Sequence, residues 1–565
     1  MVFLKRFVIK YFTHFTYFYL QLRYRIFIAL GLSIVVGLLD GFGLAMFIPM
    51  LEMIGDGGAS AEGLGNLAFL VKGLSYLGLS LNLVSVLLTM LFFFSLKGVA
   101  KFIEQYNKVI VQQYFISKLR LINVELLSHY QYKAFVTSDA GRIQNTLSGE
   151  TERLAVAYRT YMDTLQAAVM LFVYVFLAFL ANPQFAVLIA AGGMSSNFIF
   201  QQLYRKTTAA SKSITTDSHS YQGLLIQKVA FFKYLKATGL AGLFSEKLKG
   251  AIRQIEANNR KIGYYSAILQ AIREPLTMII VVAVILIQVQ FFGSDIGLII
   301  LSLLFFFRAL TYLMAMQSSW NNFLNYSGSL ENMMNFQTDF QKEQQKYGNS
   351  KIENIKNSII LNGIGFNYGD HPILVNINLE LHANKTYAFV GESGSGKTTL
   401  VNLISGLIPP DKGRLLIDGQ DLNSLDIRSY QARIGYITQE PVIFNDTIYN
   451  NVTFWAPVTE QNLQRFWQAL ENAAIADFVK GLDAQQNELL GNNGINLSGG
   501  QRQRLSIARE LYKEIDILVM DEATSALDVE TEVVIQKSVE KLKGRLTIFI
   551  VAHRLSTIKN ADQIV

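Results

Sequence analysis

The sequence predicts an α-helical membrane domain followed by an α/β domain, and three observations predict it. Long apolar runs crowd the chain before about residue 330. Beyond residue 358 they give way to short β-like runs alternating with amphipathic stretches, the pattern of an α/β layer. Inside that second region, Gly391-Glu392-Ser393-Gly394-Ser395-Gly396-Lys397-Thr398-Thr399 stands between an apolar stretch, Tyr387–Val390, and an amphipathic one from Leu400. Strand, glycine-rich turn and helix start in that order make a phosphate-binding loop.

Composition agrees. Of 565 residues, 51% are hydrophobic and only 16% charged, against roughly 25% charged in an ordinary soluble domain. The formal net charge is +7, and the basic residues flank apolar runs. That assigns the charge to an anionic membrane surface rather than to nucleic acid. There is no cysteine, which excludes disulfides, thiolate metal sites and a cysteine nucleophile.

Residues 1–25 are aromatic and basic, with Lys5, Arg6, Lys10, Arg23 and Arg25. No small-residue cleavage site follows, so the expectation is a helix lying in the cytoplasmic interface. Six apolar runs within residues 26–335 approach the ~20 residues a bilayer requires: Ile26–Ile54, Leu81–Ile103, Leu154–Ala181, Phe185–Leu203, Ser266–Phe292 and Ile296–Met316. The stretch Gly55–Ser80 carries only Asp56, Glu62 and Lys72, and the other two outer turns carry at most one acid. The two long loops hold Lys108, Lys118, Arg120, Lys133, Arg142 and Arg153, then Arg205, Lys206, Lys212, Lys228, Lys233 and Lys236. An excess of basic residues marks the cytoplasmic side, so both long loops and both termini are expected there. Their polar helical character suggests membrane helices prolonged into the cytoplasm, punctuated near Gly141 and Gly239, with short turns or helices at the tips. Residues 336–357 are charged and glutamine-rich and read as a linker to an ATPase-like domain at 358–565.

The chemistry follows residue by residue. Gly394 and Gly396 let the backbone turn so that N–H groups face phosphates, and the helix beginning at Lys397 adds its positive end. Lys397 supplies a point charge, and Thr398 a hydroxyl for Mg²⁺. Tyr368 precedes Gly391 by 23 residues, where an aromatic face could stack on adenine; a strand-core tyrosine is the competing reading. Ile517–Glu522 is an apolar strand ending in two carboxylates. Asp521 would hold Mg²⁺ through water, and Glu522 would act as general base on the attacking water. Gln439 can reach the same metal and water, and His553 the terminal phosphate. Ser498, Gly499, Gly500 and Gln501 offer a second helix-opening phosphate binder. One nucleotide has no use for two such binders unless the second serves a neighbouring subunit.

With these residues in this order behind six spans, the chain resembles an ABC transporter half-subunit of the exporter type. The resemblance implies six transmembrane helices with long cytoplasmic extensions, then a P-loop NTPase domain of the ABC type. It implies two subunits sandwiching two ATP molecules, with Ser525 to Asp528 lying across that interface. It also makes the loop tips near Gly141 and at Ala230–Lys236 coupling elements, linked to ATP by Gln439. Two departures stand out. Asn492 occupies a position where such exporters usually carry Glu, so one inter-subunit charge contact is expected to be missing. The chain also stops at Val565, short of the closing strand and helix that the resemblance implies, and the expectation is a truncated sequence.

The expected function is ATP-driven export or flipping of an amphipathic substrate by a homodimer in a bacterial inner membrane. An importer on the same fold, for a siderophore, or a peptide or drug exporter is the alternative. A soluble DNA-repair ATPase would share the motifs but not the spans, and a channel with regulatory ATP binding would not need Glu522. Asp40 and Arg308 are ionisable groups near mid-membrane, costly unless paired or facing a cavity. They either pair for structure or bring Arg308 to an anionic headgroup or pyrophosphate. An apolar stretch at Leu67–Leu79, long enough for a short outer-surface helix, resembles the flippases of lipid-linked oligosaccharides.

Overall fold

The computed structural model describes residues 13–47, 49–50, 76, 82–181, 183–291, 296–345, 348–369, 371–522, 529–551, 558 and 561–565. The chain divides into two compact units. One holds residues up to 129 together with 138–343; the other holds 130–137 together with 344–565.

The first unit is all helix: α1 (Thr13–Leu22), α2 (Arg25–Ala45), α3 (Leu83–Ser128), then, past the segment carrying α4 (Tyr132–Thr137), α5 (Ala140–Asn145), α6 (Thr151–Ala181), α7 (Pro183–Ala230), α8 (Phe232–Ala237), α9 (Ala241–Phe291) and α10 (Ile296–Lys342). Among the described residues three helical stretches are long and apolar enough to cross a membrane: Arg25–Ala45, Leu83–Ser128 and Ala140–Leu180. The remaining expected spans fall within α7, α9 and α10. At 1.5 Å per residue the 51-residue α9 is about 77 Å long, more than twice the hydrocarbon thickness of a bilayer. Much of it must therefore lie outside, as the polar half of its sequence requires.

Close approach sets the packing of α2 on α6. Gly37 and Gly41 are one helical turn apart, and a methyl group at Gly41 would sit 2.1 Å from Leu177 Cδ1. Small residues at this spacing let helix backbones meet where no hydrophobic effect drives them together. Val36, Leu44, Met170, Val173, Tyr174, Leu177 and Phe305 close the core around that crossing.

The described part of residues 1–25 includes a packed helix, α1: Phe18 is fully buried, with its ring 5.7 Å from Phe115, 5.5 Å from Tyr158 and 5.1 Å from Tyr161. Two expectations need correction. Residues 336–342 belong to α10, because Phe336 and Phe340 stack at 4.0 Å and are buried, so the linker is shorter than its composition suggested. Gly141 lies inside α5, its Cα face against Gly223 of α7, and it serves close packing rather than a turn. Gly239, by contrast, follows α8 with φ +72°, a chain break of the kind expected. The stretch Leu67–Leu79 lies outside the described residues apart from Tyr76.

The second unit has two sheets. An antiparallel sheet orders β2 (His371–His382), β1 (Ser358–Tyr368), β4 (Lys412–Ile417) and β5 (Gln420–Asp421). A parallel sheet orders β6 (Ile434–Ile437), β7 (Ile517–Asp521), β8 (Thr547–Val551), β3 (Thr386–Phe389) and β9 (Gln563–Ile564). The parallel strands β3 and β7 are buried almost throughout, as continuous apolar runs require. The longer helices of the unit are α11 (Lys397–Ile404), α12 (Glu460–Asn472), α13 (Gly499–Tyr512) and α14 (Val529–Glu540).

Candidate nucleotide site

Parallel α/β sheets gather ligands at the carboxyl ends of their strands, and here the candidate residues collect there. β3 leads into Val390–Gly396 and then α11. Gly394 (φ +83°) and Gly396 (φ +95°) hold left-handed backbone that other residues enter only with strain. Lys397 donates to the carbonyls of Gly391 and Glu392, each at 2.9 Å, so the loop curls around the ammonium group. The residues from Gly391 to Ser395 are exposed, which leaves their backbone N–H groups open to a phosphate chain.

β7 carries the two acids side by side in sequence but to different partners. The Thr398 hydroxyl donates to Asp521 at 3.4 Å, and the Tyr436 hydroxyl sits 3.3 Å from the other oxygen of Asp521 and 3.1 Å from Asn402. Burial, then the Asp521 carboxylate, pushes the Tyr436 phenol up, so it stays protonated and able to donate. Glu522 is held by a 2.9 Å bond from the Gln439 amide. Its backbone is left-handed, φ +49°, and its N–H donates to Val551 at 3.2 Å. A non-glycine residue in that region costs about 1–3 kcal/mol and persists where the surroundings over-determine it. The left-handed turn follows directly on Asp521, the last residue of β7.

A hydroxyl and a carboxylate facing one another, with the Gln439 amide beside the next acid, make an oxygen-rich donor set that fits Mg²⁺. Tyr368 ends β1, half-buried against the apolar core, and bonds through its hydroxyl to Thr399 of the phosphate loop. It thus packs on the core at the end of its strand and lies beside the loop.

Ser498 caps α13. Its hydroxyl accepts from the Gln501 N–H at 3.2 Å, and Gln501 reaches back to the Ser498 N–H at 2.8 Å. A side chain at Gly499 would meet nothing within 4 Å, so this helix start faces open space. None of the hydrogen bonds of Ser498–Gln501 reaches the phosphate loop. Behind it, buried Arg509 donates to the carbonyls of Asn451 (2.6 Å) and Val442 (2.7 Å), fixing the segment that follows Gln439. Asn492 is exposed, in a turn with Asn493 at φ +52°. His553 and Asp528 lie outside the described residues.

In the helical unit, Asp40 is paired with Lys97 (2.5 Å) rather than with Arg308, and also accepts from the Tyr174 hydroxyl. Tyr174 stacks on Tyr312 at 5.4 Å. Arg308, one turn before Tyr312, is partly exposed within electrostatic reach of both tyrosines, and among the described residues it forms no ion pair. Further along α3, Glu104 binds Ser33 (2.6 Å) and Lys101 (2.5 Å), and Lys108 pairs with Asp163. Sequence reading missed Lys97, Tyr436 and Arg509. Lys97, Lys101, Glu104 and Lys108 recur at spacings of four, three and four, and that period in an apolar helix was the available signal for the first. Tyr436 required the order of the parallel sheet, which brings β6 beside β7.

Residues 374–525 match the family model described as ABC transporter. A protein of Cupriavidus pinatubonensis named ATP-dependent lipid A-core flippase is 27% identical over 480 residues, covering 83% of this chain and 80% of its own. Proteins of the same name from Syntrophus aciditrophicus and Francisella novicida are 44% and 40% identical. Those matches span only 38% and 39% of this chain and 35% and 37% of the relatives. The structure of a bacterial Atm1-family ABC exporter with ATP bound superposes with a TM-score of 0.77 at 21% identity, covering 96% of this chain and 93% of that one. Residues 374–525 are thus similar to the ATP-binding domain of ABC transporters, and the chain has the fold of an Atm1-family ABC exporter, with apolar helices ahead of that domain.

Proposed function

We propose that the chain, as a homodimer in a bacterial inner membrane with both termini cytoplasmic, uses ATP to flip or export an amphipathic, anionic, lipid-type substrate. The observation that carries the ATP half is the linked set Lys397, Thr398, Asp521, Glu522 and Gln439 around one strand end. Lys397 and the loop N–H groups bind the phosphates. Thr398 and Asp521, with Gln439, would hold Mg²⁺, which supplies charge neutralisation at the transferring phosphate. Glu522, steered by Gln439, takes a proton from the attacking water, and His553 holds the terminal phosphate. The exposed start of α13 would complete the ATP site of a second copy, with Asp528 across the interface.

The substrate half is supported by the relatives' name and by Arg308, a charge beside an aromatic pair in the otherwise apolar stretch Ile296–Met316 of α10. Such a group suits an anionic headgroup whose tail stays in lipid. ATPase activity of the purified protein in liposomes, screened against lipid-linked sugars, peptides and hydrophobic drugs, tests this. Stimulation by an anionic lipid, lost in Arg308→Ala with basal turnover retained, is expected. Stimulation by peptides or drugs alone would overturn the lipid reading, and right-side-out uptake would replace export with import.

A further inference from the structure

Residues 130–137 come from the loop between α3 and α5, both helices of the first unit, yet they belong to the nucleotide unit. Tyr130 bridges to Gln344, and the Gln131 amide donates to the Gln344 carbonyl at 3.1 Å. From α4, Lys133 reaches Asp411 at 2.9 Å and places its ammonium 4.6 Å from the centre of the Phe366 ring.

Both contacts lead to the same place. The second oxygen of Asp411 accepts from the N–H of Asn367 at 2.8 Å, and the Asp411 N–H donates to Gly365 at 2.9 Å. Asp411 thereby clamps the last residues of β1, where the pairing with β2 slips register between Phe366 and Asn367. Phe366 meets Tyr368 edge to face at 4.9 Å. Tyr132, the neighbour of Lys133, lies near Tyr368. We infer that Lys133 is a positioning residue for the adenine-binding face: through Asp411 and Phe366 it fixes the end of β1 and so the plane of Tyr368. The inference rests on Tyr368 stacking on the base.

The geometry gives the claim a particular signature. Lys133 has no bond to the phosphate loop, whereas Tyr368 bonds to Thr399 and would contact the base. Loss of Lys133 should therefore weaken recognition of the base and leave the triphosphate cradle intact. Asp411 titrates below its usual range: burial raises it, but the Lys133 ammonium and the Asn367 N–H outweigh burial. The clamp is thus charged across the working pH range.

The test uses the full-length purified protein. KM and kcat for ATP are measured beside the inhibition constant of inorganic tripolyphosphate, which has the phosphates without the base. Lys133→Met should raise KM for ATP about threefold to fivefold, the scale of a half-exposed ion pair. The change should fall on KM rather than kcat, with tripolyphosphate inhibition unchanged. Lys133→Arg should recover most of the loss, and Asp411→Asn should reproduce it without adding to Lys133→Met. An unchanged KM in Lys133→Met, or a parallel weakening of tripolyphosphate, would overturn the inference. Tyr368→Ala separates the two layers. If it raises KM while Lys133→Met does not, only the role of Lys133 falls. If Tyr368→Ala leaves KM unchanged, base stacking falls and the inference falls with it.

Discussion

The two units solve opposite problems with charge. In the nucleotide unit the working groups stand exposed at strand ends and helix starts: Gly391 to Ser395 and Ser498 are open to solvent, and rigid apolar strands behind them supply the precision. In the helical unit the charges sit inside the packing. Asp40 and Glu104 are buried, and each is paired with a lysine of α3 and accepts a hydrogen bond from a hydroxyl of another helix. An exposed site can afford one strong local arrangement that any polar ligand completes. A buried one has to be complete within the protein, because a charge left alone in an apolar medium is very costly. The two kinds of charge should therefore fail differently.

The largest expected effect is on hydrolysis. Glu522→Gln removes the base and keeps the amide bond geometry to Gln439, so turnover should fall by at least about a hundredfold while ATP binding persists. Fluorescent-nucleotide binding beside phosphate release checks this, and near-wild-type turnover would sink the assignment. No loss of folding is expected, which is what an exposed site predicts.

In the helical unit the order reverses. Asp40→Asn or Lys97→Met alone should cost on the order of 3 kcal/mol by stranding the other charge, and should show first as lost thermal stability in detergent. The double neutral variant should recover much of it. Two additive losses would mean that the pair is not coupled and would break the comparison. Gly41→Ala probes the same crossing without charge. The added methyl meets Leu177, so about 1–3 kcal/mol is expected from overpacking, read from the melting temperature.

Legibility differed between the units for the same reason. The phosphate loop, the acids after β7 and the capped start of α13 are local chemistry, with donors and acceptors a few residues apart, and short windows of sequence display them. Lys97 serves Asp40 from 57 residues away, and Tyr436 serves Asp521 from 85. Such partners become visible only once helix contacts and sheet order are known. The antiparallel sheet was overlooked for a related reason. The strict alternation from Val375 to Leu381, with Asn376, Asn378 and Glu380 between the apolar residues, was the local signal available for β2, and its pairing with β1 needed the fold. The extension of α10 through Phe336 and Phe340 likewise needed a packing partner to outweigh its charged composition.

The smallest effect concerns His219, in the polar part of α7. Burial lowers its pKa, while Glu150 and Asp139 pull it up and Arg142 and Arg153 push it down. Its ring Nε2 is buried without a hydrogen bond. A histidine kept neutral in the fold takes up its proton first when unfolded. Stability should therefore be unaffected well above pH 6.5 and decline as the pH falls below it, until the folded-state value is reached. Melting curves at pH 7.5 and 5.5 should show a larger drop for the wild type than for His219→Gln. Equal drops would remove His219 from the account.

The left-handed backbone of Glu522 has a consequence for how this gene product tolerates variation. A residue held at φ +49° is conformationally the wrong choice for its place, and glycine or asparagine would sit there more comfortably. On the proposed role of Glu522 as general base, retaining glutamate exchanges backbone ease for turnover. Gly or Asn at position 522 should leave protein abundance unchanged, whereas most substitutions in the buried core would lower abundance and activity together. Cellular protein level and transport activity, measured across a saturation library, would come apart at this codon.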